Sequence, residues 1–362
     1  MLGGGGLKGF AHIGALRALQ ERGLKPSVIC GTSIGALIGA AYLGGMSIDE
    51  MTTHATALRP RGLFRIDHLG MITRRMSNAS LYLEKPLRTL VASVVPDVKI
   101  SDLPARLLVN TVDLERGAQV VWGLPGMRDV SVRDAVYASC ALPGFFPPTR
   151  IQGRLCVDGS VMDNLPVDPA APDVDAVIAV DVGSTSIAIA RRVHKRGFAA
   201  IYVRSAQIMM HNLEQEQIRR WGRPPMLLVR PPIWYYHWFT FARTREIIDA
   251  GYAATHETLD RITDELVVGR GVYPRRTVDV TIDRDACIGC GLCAVLAPHI
   301  VRMDPDGKAE VIRSPLEWSR AEGDFVHQCP TDAIHTTVID GDVRRPSVQL
   351  EANEDEDVVA ND

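Results

Sequence analysis

Ser27-Val28-Ile29-Cys30-Gly31-Thr32-Ser33-Ile34-Gly35-Ala36-Leu37-Ile38-Gly39-Ala40 decides how this chain is read. Residues 27–30 look like a short buried strand, and residues 36–40 like a helix rich in small side chains. Between them, Gly31-Thr32-Ser33-Ile34-Gly35 fits the pattern G-x-S-x-G. A serine on a tight strand-to-helix turn is held in a strained backbone geometry, which requires small neighbours on both sides. The turn lifts Oγ clear of the sheet, and the helix N-terminus adds partial positive charge beside it. Glycine-rich turns containing serine are common, so the pattern alone is weak. Its place between strand and helix makes Ser33 a candidate nucleophile.

Outward from this turn, short β-rich runs alternate with helical patterns. Strands are expected at 106–112, 119–122, 155–157 and 176–182, and again at 226–230 between Pro224-Pro225 and Pro231-Pro232. Helices are expected at 10–20, where Ile13, Leu16 and Leu19 recur at helical spacing before Gly23, over much of 184–221, and at 244–263. Such alternation argues for an α/β fold with helices on both faces of a sheet. Gly269-Arg270-Gly271 and Pro274 mark a linker at 271–278. The expected division is a first domain at 1–270, a second at 279–340, and an acidic, disordered tail at 341–362.

An acyl-transfer nucleophile needs an oxyanion hole, and Gly3-Gly4-Gly5-Gly6-Leu7-Lys8-Gly9 opens directly into the Phe10 helix. Successive glycines let backbone N–H groups converge without Cβ obstruction. A phosphate loop would need Gly-Lys-Ser/Thr at the helix start, which Lys8-Gly9-Phe10 does not supply. A dinucleotide loop would need an acidic residue about 20 positions on, where Cys30 and Ser33 stand instead.

For the base, Asp158 ends the strand at 155–157 and is followed by Gly159-Ser160, a setting in which a carboxylate can approach another loop. It could take the Ser33 proton directly. The plainer reading is a turn-capping aspartate, and Asp181, also at a strand end, competes. His194, His211, His237 and His256 follow the aspartate in chain order, but none lies in a turn that marks it as a triad member. His12, one helical turn past the glycine loop, reads as a partly buried helix residue.

Composition suits a globular protein: 46% hydrophobic and 23% charged over 362 residues. No apolar run is long enough to span a bilayer and no basic-then-apolar leader is visible, so a cytoplasmic protein is expected. The net charge of −3 hides an asymmetry: 1–270 carry +6 and 271–362 carry −9. Four of the seven cysteines, Cys287, Cys290, Cys293 and Cys329, crowd the last quarter, and read as metal ligands rather than disulfides. Three thiolates in C-x2-C-x2-C can grip one face of a cubane while a distant Cys-Pro closes it. Ala297 stands where a second cluster would place a cysteine, so one 4Fe–4S cluster is expected. Structural zinc usually takes two C-x2-C pairs, which fits less well.

Together these pieces resemble the patatin-like phospholipases over roughly residues 3–265. The resemblance rests on Gly4-Gly5-Gly6-Leu7-Lys8-Gly9, the Ser33 elbow, the run from Ser139-Cys140-Ala141-Leu142-Pro143-Gly144 to Pro147-Pro148, and Asp158-Gly159-Ser160-Val161-Met162-Asp163-Asn164-Leu165-Pro166. It implies a three-layer sandwich on a mostly parallel sheet, with Ser33 as nucleophile, Asp158 as base, Gly4, Gly5 and Gly6 amides as the oxyanion hole, and no metal for hydrolysis. The family usually has Gly or Ala where Ser160 stands, and an apolar strand before the glycine loop where only Met1-Leu2 remain, which predicts a poorly anchored loop. Residues 279–340 resemble single-cluster bacterial ferredoxins, a small α+β fold. That implies Cys287, Cys290, Cys293 and Cys329 as the cluster ligands.

The function expected is a serine lipid-acyl hydrolase acting on phospholipid or another acyl-ester lipid, tied to an iron–sulfur redox module. The alternative is a ferredoxin-type electron carrier using the hydrolase fold as scaffold. An acidic second domain would steer a basic redox partner protein. No nucleic-acid partner is expected. Trp221, Trp234, Tyr235, Tyr236, Trp238, Phe239 and Phe241, near Arg219, Arg220, Arg223 and Arg230, could seat the protein peripherally on a membrane, although burial is the commoner fate of aromatics.

Overall fold

A computed structural model of the chain describes residues 1–68, 72, 79–172, 174–183, 193–261, 270–319 and 322–339. The acidic tail, and residues 184–192 and 262–263 of the expected helices, lie outside these residues. The strands are β1 Val28–Thr32, β2 Arg106–Asp113, β3 Ala118–Trp122, β4 Thr149–Ile151, β5 Arg154–Asp158, β6 Val177–Val180, β7 Met226–Val229, β8 Val272–Tyr273, β9 Arg275–Ile282, β10 Val301–Met303, β11 Ala309–Val311, β12 Leu316–Ser319 and β13 Ile334–Val338. The α-helices are α1 Ala11–Glu21, α2 Ile34–Leu43, α3 Ile48–Ala57, α4 Pro60–Leu63, α5 Glu84–Val94, α6 Val132–Cys140, α7 Phe198–Arg220, α8 Thr244–Leu259 and α9 Leu292–Leu296. Two compact units result: Met1–Arg275 with Ser319–His327, and Arg276–Trp318 with Gln328–Asp362.

The first unit is an α/β fold on a mixed sheet. β1 pairs parallel with β2, while β3 and β5 pair antiparallel with β2 and β4 antiparallel with β5. On the other side, β6, β7 and β8 are parallel. Met1-Leu2 joins the two halves. Leu2 bridges both Gly31 and Val180 in parallel; its amide donates to Cys30 O and its carbonyl accepts from Thr32. Two residues therefore fill the place of a strand between β1 and β6, and the glycine loop leaves that place firmly anchored. The expected poor anchoring is corrected: a backbone needs only its donors and acceptors paired on both sides, not a long apolar run.

The linker expected at 271–278 is also corrected. Val272–Tyr273 is an edge strand beside Met226–Leu227, and β9 begins at Arg275. The Gly-rich and Pro-containing stretch turns the chain into a strand rather than letting it hang free.

A large apolar core holds α1, α2, α3, α5 and α6 together, with Trp122, Tyr137, Ile13 and Leu107 fully buried. Within it α1 and α8 touch backbone to backbone. A Cβ on Gly14 would lie 1.9 Å from Ile248 O, and one on Gly251 would lie 2.0 Å from Ala11 O. Only glycine permits that approach.

In the second unit β9 pairs with β12 and β13, and β10 with β11 form a separate hairpin. Between β9 and β10 the chain runs through the cysteine loop and the single-turn α9. No α-helix among the described residues is long and apolar enough to cross a membrane.

Candidate active site and cysteine loop

Register on one strand brings the two candidate residues together. Thr32, the last residue of β1, lies opposite Asn110 of β2, and Asp158, the last residue of β5, lies opposite Thr111. Consecutive residues of β2 thus bring the two strand ends side by side. Ser33 follows with φ 55 and ψ −124, a left-handed-side conformation that L side chains rarely adopt. Tight packing requires the small neighbours: a Cβ on Gly35 would lie 2.0 Å from Leu2 O, and one on Gly31 would lie 2.5 Å from the Ala36 amide.

The Ser33 amide donates to Ser139 Oγ at 2.8 Å, and that hydroxyl donates to Asn110 O at 2.7 Å. Ser139 comes from the last turn of α6 and fixes the elbow from below. Asp158 is almost fully buried. Its Oδ1 accepts from the Ser160 amide at 2.9 Å. Burial pushes its carboxyl up to about 6, while hydrogen bonds from Ser160 and from the Ser33 hydroxyl hold it down. The Cys140 thiol also bonds Ser33, and burial beside Asp158 pushes it well above the usual thiol range.

Beneath the dyad, Asn110 Nδ2 donates to Thr32 Oγ1 at 3.1 Å and to Asp163 O at 2.8 Å. Gln119 Nε2 reaches Asn110 Oδ1 at 2.9 Å and Asp163 Oδ2 at 3.0 Å. This ring of amides gives partners to most of the polar groups buried here, Asp163 Oδ1 being left without one.

The glycine loop passes beside Ser33, with a Cβ on Gly4 falling 3.5 Å from Ser33 Cβ. The Gly4 amide, however, donates to Asn164 O at 2.9 Å and is engaged in holding the loop. That removes Gly4 from the expected oxyanion trio and leaves Gly5 and Gly6. Gly6 has φ +58, and a Cβ there would meet Trp238 O at 2.5 Å. His12 is fully buried rather than partly so; its Nε2 donates to Gly3 O at 2.8 Å, and burial lowers the ring to about 4, so it is neutral. It positions the loop and does not reach the dyad through any bond of its own.

A second buried network stands behind the loop. Asn164 Nδ2 donates to Gly4 O at 3.2 Å and to Glu214 Oε2 at 2.6 Å. Lys8 Nζ donates to Gly183 O at 2.6 Å, and burial lowers its ammonium to about 8. Asp181, the rival base, is paired with Arg230 at 2.9 Å and is held below its usual range by that guanidinium against its own burial. Burial, with Asp181 beside it, pushes the Glu214 carboxyl well above the carboxylate range.

The aromatic stretch divides. Trp221 and Arg230 are buried, and Phe239 and Phe241 pack on Phe64 at 4.8 and 5.9 Å between ring centroids. Phe145 and Tyr82 extend that cluster, while Trp234 and Tyr235 remain exposed.

In the second unit, Cys287 is buried, Cys290 exposed, and Cys293 and Cys329 half-buried; none forms a disulfide. Gly289 and Gly291, at φ +72 and +75, turn the loop around its thiols. Cys329 Sγ accepts from the Ala333 amide at 3.3 Å, and backbone amides at 331, 333 and 334 hold the thiol below its usual range. Amides aimed at sulfur suit a thiolate that ligates a cluster. Among the described residues no three such side chains converge on one point that could hold a single metal ion.

Residues 1–171 match the patatin-like phospholipase family, and residues 280–336 match a 4Fe-4S single cluster domain. An uncharacterized NTE family protein of Mycobacterium tuberculosis is 34% identical over 191 residues, which are 52% of this chain and 50% of the relative. The lysophospholipase NTE1 of Kluyveromyces lactis is 26% identical over 289 residues, 73% of this chain and 19% of the relative. The Aspergillus niger lysophospholipase nte1 is 29% identical over 293 residues, 73% of this chain and 18% of the relative. Among solved structures, VipD from Legionella pneumophila gives a TM-score of 0.38 at 16% identity, over 71% of this chain and 65% of that one. The chain spans half the length or less of these curated relatives. Its first 171 residues match a patatin-like phospholipase domain, and NTE-family proteins are among its relatives.

Proposed function

We propose that the chain is a serine lipid-acyl hydrolase in which Ser33 is the nucleophile and Asp158 its base. The observation that carries this is a strained serine directly after β1, which the register on β2 sets beside a buried carboxylate at the end of β5. Asp158 takes the Ser33 proton as Oγ attacks the ester carbonyl, and the Gly5 and Gly6 amides receive the oxyanion. The proton returns from Asp158 to the departing alkoxide. Asp158 then takes a proton from water as the water oxygen attacks the acyl carbonyl, the bond to Ser33 Oγ breaks to release the fatty acid, and Asp158 returns the proton to Oγ. The substrate is an acyl-ester lipid, phospholipid or lysophospholipid, and the apolar cluster of Phe64, Tyr82, Phe145 and Phe239 suits its chain. Hydrolysis uses no metal.

Cys287, Cys290, Cys293 and Cys329 would hold one 4Fe–4S cluster, which supplies one-electron chemistry when bound. It would work with a redox partner protein, and the assembly would act at the cytoplasmic side of a membrane. Under the rival reading, an electron carrier on a hydrolase scaffold, the intact Ser33, Asp158 and glycine loop would have no use. Ser33→Ala decides between them: hydrolysis of a lipid panel should vanish while any cluster absorption stays. Hydrolysis retained by that variant would remove the assignment of Ser33.

A further inference from the structure

Helix α7 (Phe198–Arg220) has two unlike sides. One is buried and polar: Glu214 and Gln215 are almost fully enclosed and bond Asn164 and Arg230. The other is open and mostly apolar, with Ser205 and Asn212 exposed among its large side chains. Ile201 is 45% exposed, Tyr202 60%, Ile208 40%, Met209 58% and Leu213 48%. Positions 201 and 208, and 202, 209 and 213, fall on one arc of a helix with 3.6 residues per turn. An aqueous surface does not favour five large apolar groups in one stripe.

The charges flanking that stripe name its occupant. Exposed Lys195 precedes the helix. Arg219, Arg220 and Arg223 are exposed at its far end, where Arg219 and Arg220 share the single carboxylate of Glu216. Between 193 and 223 the sequence carries six Lys and Arg against two Asp and Glu, and one of the two is the buried Glu214. Apolar side chains between cationic ends match a bilayer surface, with acyl chains below and anionic headgroups around. A second copy of the chain would bring the same positive ends together and is disfavoured by like charge.

We propose that the outer face of α7 is a docking surface for an anionic lipid bilayer, built around Ile201, Tyr202, Ile208, Met209 and Leu213. The inference deepens the lipid-hydrolase reading, since it says how the chain meets substrate held in a membrane. The buried side of the same helix gives it a route to the site. Glu214 bonds Asn164, which bonds Gly4 O in the glycine loop.

The test uses the full chain and the double variant Ile208→Ser, Met209→Ser, both positions lying away from every buried network. Sedimentation with vesicles of phosphatidylcholine containing about 30% phosphatidylglycerol should retain the wild-type chain, and the variant should bind at least tenfold more weakly. Hydrolysis of a short soluble ester should be the same in both, showing that the variant folds. Ser33→Ala is run alongside: it should bind vesicles as wild type does, so a failure of the catalytic assignment and a failure of docking read out separately. Equal vesicle binding by wild type and double variant would overturn the proposal. So would wild-type binding that does not depend on anionic lipid, or a dimer in solution that the double variant converts to monomer.

Discussion

The amide of Ser33 donates to the hydroxyl of Ser139 at 2.8 Å, and that hydroxyl in turn donates to Asn110 O at 2.7 Å. The strained backbone at Ser33 is thus pinned to β2 through one small side chain on α6. Ser139→Ala leaves both the Ser33 amide and the Asn110 carbonyl without this partner. The expected loss is about 1–2 kcal/mol of stability. The expected fall in kcat is about 10- to 100-fold with KM little changed, because the reacting atoms lose alignment rather than substrate contact. Steady-state kinetics on a soluble ester together with thermal unfolding check both parts.

Hydrolysis should follow the ionisation of Asp158. A base works only when deprotonated, and this carboxyl is raised to about 6 by burial. The rate should rise with pH, reach half its plateau near about pH 6 and stay level to pH 8. A pH profile of kcat/KM checks it, and a rate independent of pH between 4 and 8 would contradict the role given to Asp158.

Ser160 stands where the resembling family has Gly or Ala, and its hydroxyl adds a hydrogen bond to the Asp158 carboxylate. Bonds to the charged form lower a pKa. Ser160→Gly therefore moves the acid limb of the profile to higher pH, with the plateau rate unchanged within about threefold. A shift to lower pH would show that the hydroxyl does not serve the carboxylate.

Asp158 also carries a stability cost. Its folded pKa lies above its unfolded value, so the native state holds the extra proton between about pH 4 and 6. Stability is fully present below that window and falls as pH rises through the folded pKa. Asp158→Asn removes the buried charge. At pH 7 it should be inactive yet more stable than wild type by about 1–3 kcal/mol, a difference that disappears near pH 4. Urea unfolding at both pH values tests this.

The cysteine set makes a separate prediction. Anaerobic reconstitution should yield about four irons per chain and a broad absorption near 400 nm, which Cys290→Ser should abolish. The same variant should keep its hydrolysis of a soluble ester unless the cluster controls the site. Uptake of one zinc in place of iron would favour the structural reading of these thiols.

Much of the architecture was legible because it has a local signature. The strands at 106–112 and 119–122, the helix after Gly9 and the turn around Ser33 follow from apolar period and glycine placement, and they agree with the folded chain to within two residues. Asp158 was legible as a strand-end carboxylate within a resembling motif; the opposition of Thr32 to Asn110 and Asp158 to Thr111 sets it next to the Ser33 turn, while Asp181 is paired with Arg230. The role of Met1-Leu2 was misread because a two-residue pairing leaves no periodicity. The strand at 272–273 was hidden by its glycine and proline neighbours. The engagement of the Gly4 amide with Asn164, and the bond from Ser139 to Ser33, join residues 160 and 106 positions apart. Such contacts have no local pattern, though the serine before Cys140 in a quoted motif was the signal available. The apolar stripe on α7 needed exposure values, since its residues read equally well as core.

The glycine notch between α1 and α8 has a bearing on substrate entry. With Gly14 against Ile248 and Gly251 against Ala11, α1 has no freedom to slide along its neighbour, and the first turn that follows the glycine loop is as immobile as a keyed shaft. On its other sides the loop is tied by the Gly4 amide to Asn164 O and by the Leu7 amide to Trp238 O, so an acyl ester arriving at Ser33 would meet a loop braced by its helix and by both of these neighbours.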